Sequence, residues 1–289
     1  MTSDEPTAES SGEITFVDPA VQLCPFAAYK KLQEQARVYR DPVTGFYEVT
    51  GFEDLWAIAQ DAATYSSEHP VFGDRSLTPA HKEVNRLYEE QGYPALPTLI
   101  NADEPAHRMY RNLVDTSFKA TRVKALEPKI RELVTKLIDG FIGRGEAEFV
   151  DEFAMLLPLY VIADTIGVSR DRAADFKRWS DAMMKVFEPG ISGELQIELT
   201  KVVIEMQQFF AAELARARKA PQEDILGDLA VAEVEGRPLT TQEAVHLLSG
   251  ILVAGNETTT SALGNAMRRL IVDPGLQDRL RADPARIND

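Results

Sequence analysis

A run of polar residues interrupts an otherwise apolar helical pattern. It holds a glycine, an amide, a carboxylate and three hydroxyls, Gly255-Asn256-Glu257-Thr258-Thr259-Thr260. Helix propensity and burial both favour leucine or alanine at such places, and residues that break local rules often belong to a functional site. A carboxylate beside a hydroxyl can hold and pass a proton. The run is interpreted as a proton-handling notch in an apolar pocket; the alternative is an exposed kink whose threonine hydroxyls bond the preceding turn.

A second set of residues suited to chemistry is a histidine and an arginine four positions apart. His107 and Arg111 closely follow the acidic pair Asp103-Glu104. In a helix, side chains at i and i+4 project from one face, so an imidazole and a guanidinium at this spacing could hold two carboxylates of a ligand. The alternative is an exposed surface pair that bonds the neighbouring acids.

Both sets resemble motifs of one family. Residues 254–259, A-G-N-E-T-T, resemble the oxygen-binding signature A/G-G-x-D/E-T-T of the cytochrome P450 superfamily, the haem-thiolate monooxygenases. Residues 103–114, D-E-P-A-H-R-M-Y-R-N-L-V, resemble the D-x-P-x-H-x-x-x-R-x-L-V helix that lies across the haem edge in that family. Because the motifs stand in the family's order and spacing, the resemblance extends over residues 15–289.

The resemblance implies a soluble, bacterial-type monooxygenase with haem as its cofactor. Such an enzyme inserts one oxygen atom of O2 into a small organic substrate, here expected to be apolar or amphipathic. Its electrons would come from a ferredoxin- or flavodoxin-type donor. The catalytic residues that the resemblance implies are Glu257, which would relay protons, and Thr258, which would hydrogen-bond the bound oxygen.

The resemblance also assigns residues to the cofactor and the substrate. His107 and Arg111 would hold the haem propionates. Four further residues lie on the long helix: Ala254 and Gly255 beside the cofactor, where the glycine would let the helix bulge, and Gly250 and Val253 facing the substrate.

The family's iron ligand is absent from the sequence. In the family a cysteine in a C-terminal loop binds the iron after a helix with E-x-x-R, whereas the one cysteine here, Cys24, does not match that motif. A single cysteine and four scattered histidines also exclude a metal site built from several protein ligands. The sequence is therefore interpreted as a disordered acidic tail at 1–14 and an incomplete cytochrome P450 domain at 15–289, inactive by itself.

The elements that must position these residues are mainly helical. The pattern predicts a long central helix over 241–271, opened by the capping box Thr240/Glu243, and a small β-hairpin at 38–50. Nine further helices are predicted near 25–37, 52–61, 81–91, 104–118, 122–143, 151–166, 170–187, 191–218 and 274–282. The predicted fold class is mainly α, the N-terminal part of the cytochrome P450 fold.

Composition excludes several classes of partner. The 31 basic and 46 acidic side chains give a net charge of −15, which excludes nucleic acid and anionic membrane surfaces. The longest uncharged apolar stretch, 155–163, is far shorter than the ~20 residues that a membrane span needs. The single cysteine and the lack of a cationic leader favour a cytoplasmic location.

Three functions are open on the sequence alone. They are a monooxygenase of which this is the N-terminal part, a non-catalytic helical module that binds a small molecule, and a helical scaffold without a ligand. The two motifs favour the first. Segments 66–100 and 175–205 are expected to contact the substrate.

Overall fold

The computed structural model describes residues 13–68, 80–186, 188 and 191–288. The chain divides into two compact units, Met1–Ser67 and Glu68–Asp289. The predicted tail at 1–14 lies outside the described residues except for its last two. Ile14 is described, and its carbonyl accepts a hydrogen bond from the Tyr39 hydroxyl at 2.8 Å. Parts of the expected substrate segments, 69–79 and 187, 189 and 190, also lie outside.

The first unit is built around the predicted hairpin. Its elements are α1 (Pro19–Leu23), α2 (Phe26–Gln35), β1 (Val38–Arg40), β2 (Tyr47–Val49) and α3 (Phe52–Gln60). The strands pair antiparallel with Val38 opposite Val49. Asp41 is fully buried in the turn, where its carboxylate accepts from the backbone N–H of Val43 at 2.8 Å and of Thr44 at 3.0 Å. This side chain fixes the turn, because it satisfies donors that two short strands leave unpaired.

The second unit is helical. Its helices are α4 (His81–Gln91), α5 (Ala106–Asp115), α6 (Ala120–Ile142), α7 (Leu156–Ile166), α8 (Ala173–Lys185), α9 (Gly193–Ala217), α10 (Ile225–Ala230), α11 (Thr241–Val272) and α12 (Pro274–Ala282), with a hairpin β3 (Glu233–Val234) and β4 (Arg237–Pro238) before α11. A π-helical turn, Val150–Ala154, precedes α7. The mainly α prediction is confirmed, and so are the hairpin near 38–50 and the long helix.

Differences from the predicted elements are local. The helix expected over 170–187 begins as a 3₁₀ turn, Arg170–Arg172, so that α8 starts at Ala173. The hairpin β3–β4 and helix α10 were not predicted. The hairpin turns at Glu235 and Gly236, both with positive φ, and its two-residue strands are too short to show alternation.

Helix α11 is the centre of the second unit along only half of its length. Leu247, Leu248 and Leu252 are fully buried among α7, α8 and α9. Beyond Asn256 the helix becomes mostly exposed, and Ile271 and Val272 near its end are 66% and 59% exposed. Burial on several faces is therefore limited to the first half of the helix. The π-helical turn Val150–Ala154 and helix α12 also contact α11.

Candidate functional site

Helix α5 presents two different faces. Tyr110 and Val114 are buried, whereas the side chains of His107 and Arg111 are 42% and 63% exposed. His107 Nδ1 lies 3.5 Å from Glu104 Oε1, and Arg111 Nε donates to its own-helix neighbour Asp115 at 2.8 Å. Exposed pairs of this kind hold their partners weakly, so both side chains can turn to a stronger anion.

The polar run on α11 lies at the point where the helix passes from buried to exposed. Asn256 is 1% exposed, whereas Ala254 and Thr258 are exposed and Glu257 is half-buried. The Thr258 hydroxyl donates to the Ala254 carbonyl at 2.9 Å. The back-bonded threonine weighed from the sequence is therefore present, but in an unbroken helix and not in a kink.

Gly255 has a packing role in this structure. A Cβ built at this position would lie 3.0 Å from Ile162 Cδ1 and 3.1 Å from Ile162 Cγ1, which is tighter than ordinary van der Waals contact. The glycine thus lets α11 approach α7 closely. The bulge expected at Gly255 is not seen, because the α-helix continues through it.

A cavity of about 120 Å³ lies beside the buried half of α11. Gly250 lines it, whereas the two other helix residues expected near the ligand, Val253 and Ala254, do not. Its apolar walls come from the segment 93–101, from α4, α8 and α9, and from α11: Tyr88, Tyr93, Ala95, Leu96, Ile100, Met183, Val186, Val203 and Met206.

Side chains from two helices hold the cavity wall at Gly92–Pro94 in place by hydrogen bonds. Gln207 of α9 accepts from the Tyr93 N–H at 2.9 Å and donates to the Tyr93 carbonyl at 3.1 Å. Gln242 of α11 donates to the Pro94 carbonyl at 2.9 Å, and His246 Nε2 lies 2.8 Å from the same oxygen. These polar side chains are thereby engaged with the backbone, so the cavity offers a ligand a mainly apolar surface.

The capping box at the start of α11 has a second function. Glu243 is 3% exposed, and both its oxygens accept from Arg237 at 2.8 Å. Oε2 also accepts from the Thr240 N–H at 2.8 Å, while Oε1 accepts from the Tyr110 hydroxyl at 3.1 Å. The Arg237 guanidinium lowers the pKa of Glu243 to about 2, against the effect of burial, and the hydrogen bonds from Thr240 and Tyr110 act in the same direction.

Tyr110 therefore connects the two helices that carry the predicted site. Burial and the nearby Glu243 carboxylate raise the pKa of Tyr110 to about 12, so its hydroxyl stays a donor at neutral pH. Glu243 and Thr258 are 15 residues apart on α11, about 22 Å at 1.5 Å per residue. No hydrogen bond or ion pair found within the described residues joins His107 or Arg111 to the polar run.

The residues that sequence reasoning missed are Tyr110, Arg237 and Gln207. Tyr110 stands inside the quoted 103–114 motif, but its partner lies 133 positions away. Glu243 was identified as a cap, and its burial was not expected. A buried carboxylate must find donors, which is the signal that could have directed attention to a hydroxyl elsewhere in the chain.

Comparison with known proteins decides the family. Cytochrome P450 107B1 of Saccharopolyspora erythraea is 30% identical over 257 residues, which are 86% of this chain and 61% of that protein. The structure of cytochrome P450 CYP109Q5 from Chondromyces apiculatus matches with a TM-score of 0.75 at 31% identity, covering 94% of this chain and 64% of that one. The chain belongs to the cytochrome P450 superfamily. No protein-family model matches it.

A relative with a named reaction shares a shorter stretch. The steroid C26-monooxygenase of Mycobacterium tuberculosis is 36% identical over 193 residues, 66% of this chain and 52% of that protein. The first curated relatives are longer than this chain, which spans 61% to 62% of their length. Among the described helices, none has the length and apolar character needed to cross a membrane.

Haem is the cofactor of the cytochrome P450 family, and the donor set on this chain suits its two carboxylates. His107 and Arg111 are exposed on one face of α5 and are bonded only weakly to acids of their own segment. The exposed stripe of α11 offers a small side chain at Ala254 and a hydroxyl at Thr258. The residues present therefore fit the group. The cysteine of the first unit, Cys24, is exposed between α1 and α2.

Proposed function

We propose that the complete protein is a haem-dependent monooxygenase and that this chain supplies its haem-edge helix and its oxygen-side helix. The observation that carries the proposal is the exposed stripe Ala254–Thr258 on α11, where a carboxylate and a hydroxyl interrupt a helix that is fully packed one turn earlier. The overall reaction consumes O2, two electrons and two protons, places one oxygen atom in the substrate and releases the other as water. The haem supplies the reduction of O2.

The family resemblance suggests the roles of these side chains, and the exposure of each supports the proposal. His107 and Arg111 bind the two haem carboxylates by charge-assisted hydrogen bonds. Glu257 is half-buried, so its carboxylate reaches solvent and can take up a proton for Thr258. The Thr258 hydroxyl, which donates to the Ala254 carbonyl in this structure, would lie beside the haem and hold the proton that the Glu257 carboxylate takes up.

The cavity supports the assignment of an apolar or amphipathic substrate. Gly250 presents no side chain to it, and the amides of Gln207 and Gln242 are engaged with the backbone of Tyr93 and Pro94. The described residues that line the cavity include no carboxylate, ammonium or guanidinium group, so a charged ligand would lose its hydration there without gaining an oppositely charged partner. The O2 and the electrons come from outside the chain. The family resemblance implies a ferredoxin- or flavodoxin-type electron donor, and the single cysteine favours a cytoplasmic location.

The reduced carbon monoxide spectrum of the complete, haem-loaded protein tests this function. We expect the red-shifted Soret band of a thiolate-ligated haem, together with product formation that depends on O2 and on an added electron donor. A protein that binds haem without that band, or that forms no oxygenated product with any apolar substrate that perturbs the Soret band, is not a monooxygenase.

The second candidate function is a non-catalytic module that binds a small apolar molecule. The cavity favours it, because the cavity is formed by residues 88–250 of this chain. That function requires apolar ligands to bind the complete protein with the same affinity whether or not haem is loaded. The monooxygenase requires ligand binding to change the haem spectrum.

A further inference from the structure

The carboxylate of Glu243 has more donors than a helix cap needs. Thr240 completes the capping box from the same turn, and Arg237 neutralises the charge through two hydrogen bonds of 2.8 Å. These two residues lie within six positions of Glu243 and satisfy the end of α11 by themselves. The bond from Tyr110 is therefore additional, and it is the one that comes from another helix.

The Tyr110 bond fixes the rotation of α5 about its own axis. Helix α5 has ten residues, and its buried side chains are Tyr110 and Val114. Apolar contacts are not directional, so the packing of Val114 and of the partly buried Ala106, Met109 and Leu113 fixes the rotation of the helix less sharply than a hydrogen bond does. A hydrogen bond to a buried charged acceptor depends steeply on direction, and the Glu243 acceptor is itself held by Arg237 and Thr240.

The rotation of α5 about its axis decides where the side chains of His107 and Arg111 point. Tyr110 follows His107 by three positions and precedes Arg111 by one. At about 100° per residue, Tyr110 stands about 60° from His107 and about 100° from Arg111 around the axis. A fixed Tyr110 therefore fixes the directions of both exposed side chains.

We infer that Tyr110 is a positioning residue for the haem carboxylates. Its hydroxyl, donated to Glu243, sets α5 so that His107 and Arg111 reach the two carboxylates together. The inference rests on the proposed role of His107 and Arg111, and it adds a residue that touches neither cofactor nor substrate. The pKa values of about 12 for Tyr110 and about 2 for Glu243 keep donor and acceptor in the required states across the physiological range.

Haem transfer from the complete protein to apo-myoglobin tests the inference. Tyr110→Phe keeps the ring in its buried place and removes the hydroxyl. We expect transfer to become about tenfold faster, equivalent to about 1.4 kcal/mol. In a His107→Ala/Arg111→Ala background, Tyr110→Phe should have no further effect, since the groups through which it acts are gone.

A matched control is Tyr39→Phe, which removes a hydroxyl bond of 2.8 Å to the Ile14 carbonyl in the other unit. We expect wild-type haem transfer from this variant. Hydrogen exchange in the 289-residue chain gives a readout without cofactor. Tyr110→Phe should speed exchange of the α5 amides and leave those of α9 unchanged.

The possible failures can be told apart. If the His107/Arg111 double variant retains haem like wild type, the proposed role of that pair is wrong. If the double variant loses haem faster but Tyr110→Phe does not, the positioning inference is overturned and the proposed function stands. If Tyr110→Phe accelerates haem loss equally in both backgrounds, Tyr110 acts on general stability and the inference is also overturned. If Tyr110→Phe does not fold, unchanged α5 exchange in Glu243→Gln would overturn it.

Discussion

The half-buried Glu257 and the exposed Thr258 are adjacent residues with different access to solvent. One has its carboxylate partly in water, and the other has its hydroxyl on the exposed stripe of α11. A proton path needs both kinds of position. The relay itself is what the family resemblance implies for this pair, and the access of both side chains to solvent is compatible with it.

In the complete protein, Thr258→Ala should divert electrons from product to hydrogen peroxide, because the hydroxyl that holds the delivered proton is lost. Glu257→Gln should slow turnover by roughly 10²- to 10⁴-fold, the usual cost of one proton-transfer group. The measurement is product and peroxide formed per electron supplied. Thr259→Ala, at the next exposed hydroxyl, is the matched control and should behave like wild type. Unchanged product yield in Thr258→Ala would remove the role proposed for this residue.

Glu243 is one of the carboxylates whose lowered pKa contributes to stability against acid. Its pKa is about 2 in the folded chain, against an ordinary value of 4.5. A lowered pKa contributes stability that is complete above pH 4.5 and is lost as the pH falls toward 2. The difference corresponds to roughly 3 kcal/mol.

The free energy of unfolding of the wild-type 289-residue chain, measured with denaturant at pH 7, 4 and 3, should fall as the pH is lowered. In Glu243→Gln the free energy of unfolding should be lower at pH 7 and should fall less between pH 4.5 and 3. Glu127→Gln, which removes an exposed ion pair with Arg131, is the control and should stay within about 0.5 kcal/mol of wild type. Parallel pH profiles for wild type and Glu243→Gln would contradict the burial assigned to this carboxylate.

At the scale of elements, α5 works through its two faces. The buried face anchors the helix and the exposed face carries His107 and Arg111. In the complete protein, His107→Ala/Arg111→Ala should release haem well over tenfold faster, because hydrogen bonds to charged groups contribute about 1.5–3 kcal/mol each. Haem transfer to an apo-globin measures it. The control is Arg108→Ala, which removes an exposed pair with Glu104 at 3.4 Å and points about 100° from His107 and about 60° from Arg111 around the axis. Similar rates in Arg108→Ala and the double variant would mean that charge on α5, and not position, retains the cofactor.

The segment after α4 is held closely enough to leave no room for a side chain. A Cβ at Gly92 would lie 2.7 Å from Gln207 Oε1 and 2.9 Å from Ile204 Cγ1, and Gln207 is fixed by its two bonds to Tyr93. Gly92→Ala should therefore destabilise the chain by about 1–3 kcal/mol. Gly140→Ala on α6, where a Cβ meets nothing within 4 Å, should stabilise it by up to about 1 kcal/mol. Chemical denaturation of the two variants measures the difference, and equal stabilities would mean that the cavity wall is loose.

At the scale of the molecule, burial divides α11 into a packed half and an exposed half. Side chains near its end, such as Ile271, are more than half exposed, although their types suit a core. The chain spans 61% to 62% of the first curated relatives. The longer relatives therefore contain chain that this sequence lacks. The exposed half of α11 and the exposed face of α5 are surfaces available to that additional chain.

A polypeptide of these 289 residues, expressed with haem, should not give a thiolate-type reduced carbon monoxide spectrum. Its one cysteine, Cys24, lies exposed between two short helices of the first unit and does not match the ligand loop of the family. The spectrum after reduction and exposure to carbon monoxide is the measurement. A red-shifted Soret band would show that Cys24 binds the iron. The band should then disappear in Cys24→Ala.

The sequence by itself determined the elements and the family. Long helices are marked in a sequence by apolar spacing and capping residues. Helix α11 was therefore predicted within one residue of its observed ends, Thr241 and Val272. The two motifs led to the cytochrome P450 superfamily because they depend on residues close together in the chain. Short elements were not predicted, because the two-residue strands β3 and β4 are too short to show a periodic pattern.

Only the tertiary structure decided which side chains meet and which are covered. Tyr110 and Glu243 lie 133 positions apart, as Tyr93 and Gln207 lie 114 apart, and no spacing rule reaches across such intervals. Exposure is also a property of the whole fold. Isoleucine is buried at Ile251 and exposed at Ile271 of the same helix, because burial depends on neighbours that pack against the helix and not on the helix alone. The sequence therefore specified which groups could do chemistry, and the packing of α5 against the start of α11 decided how they are held.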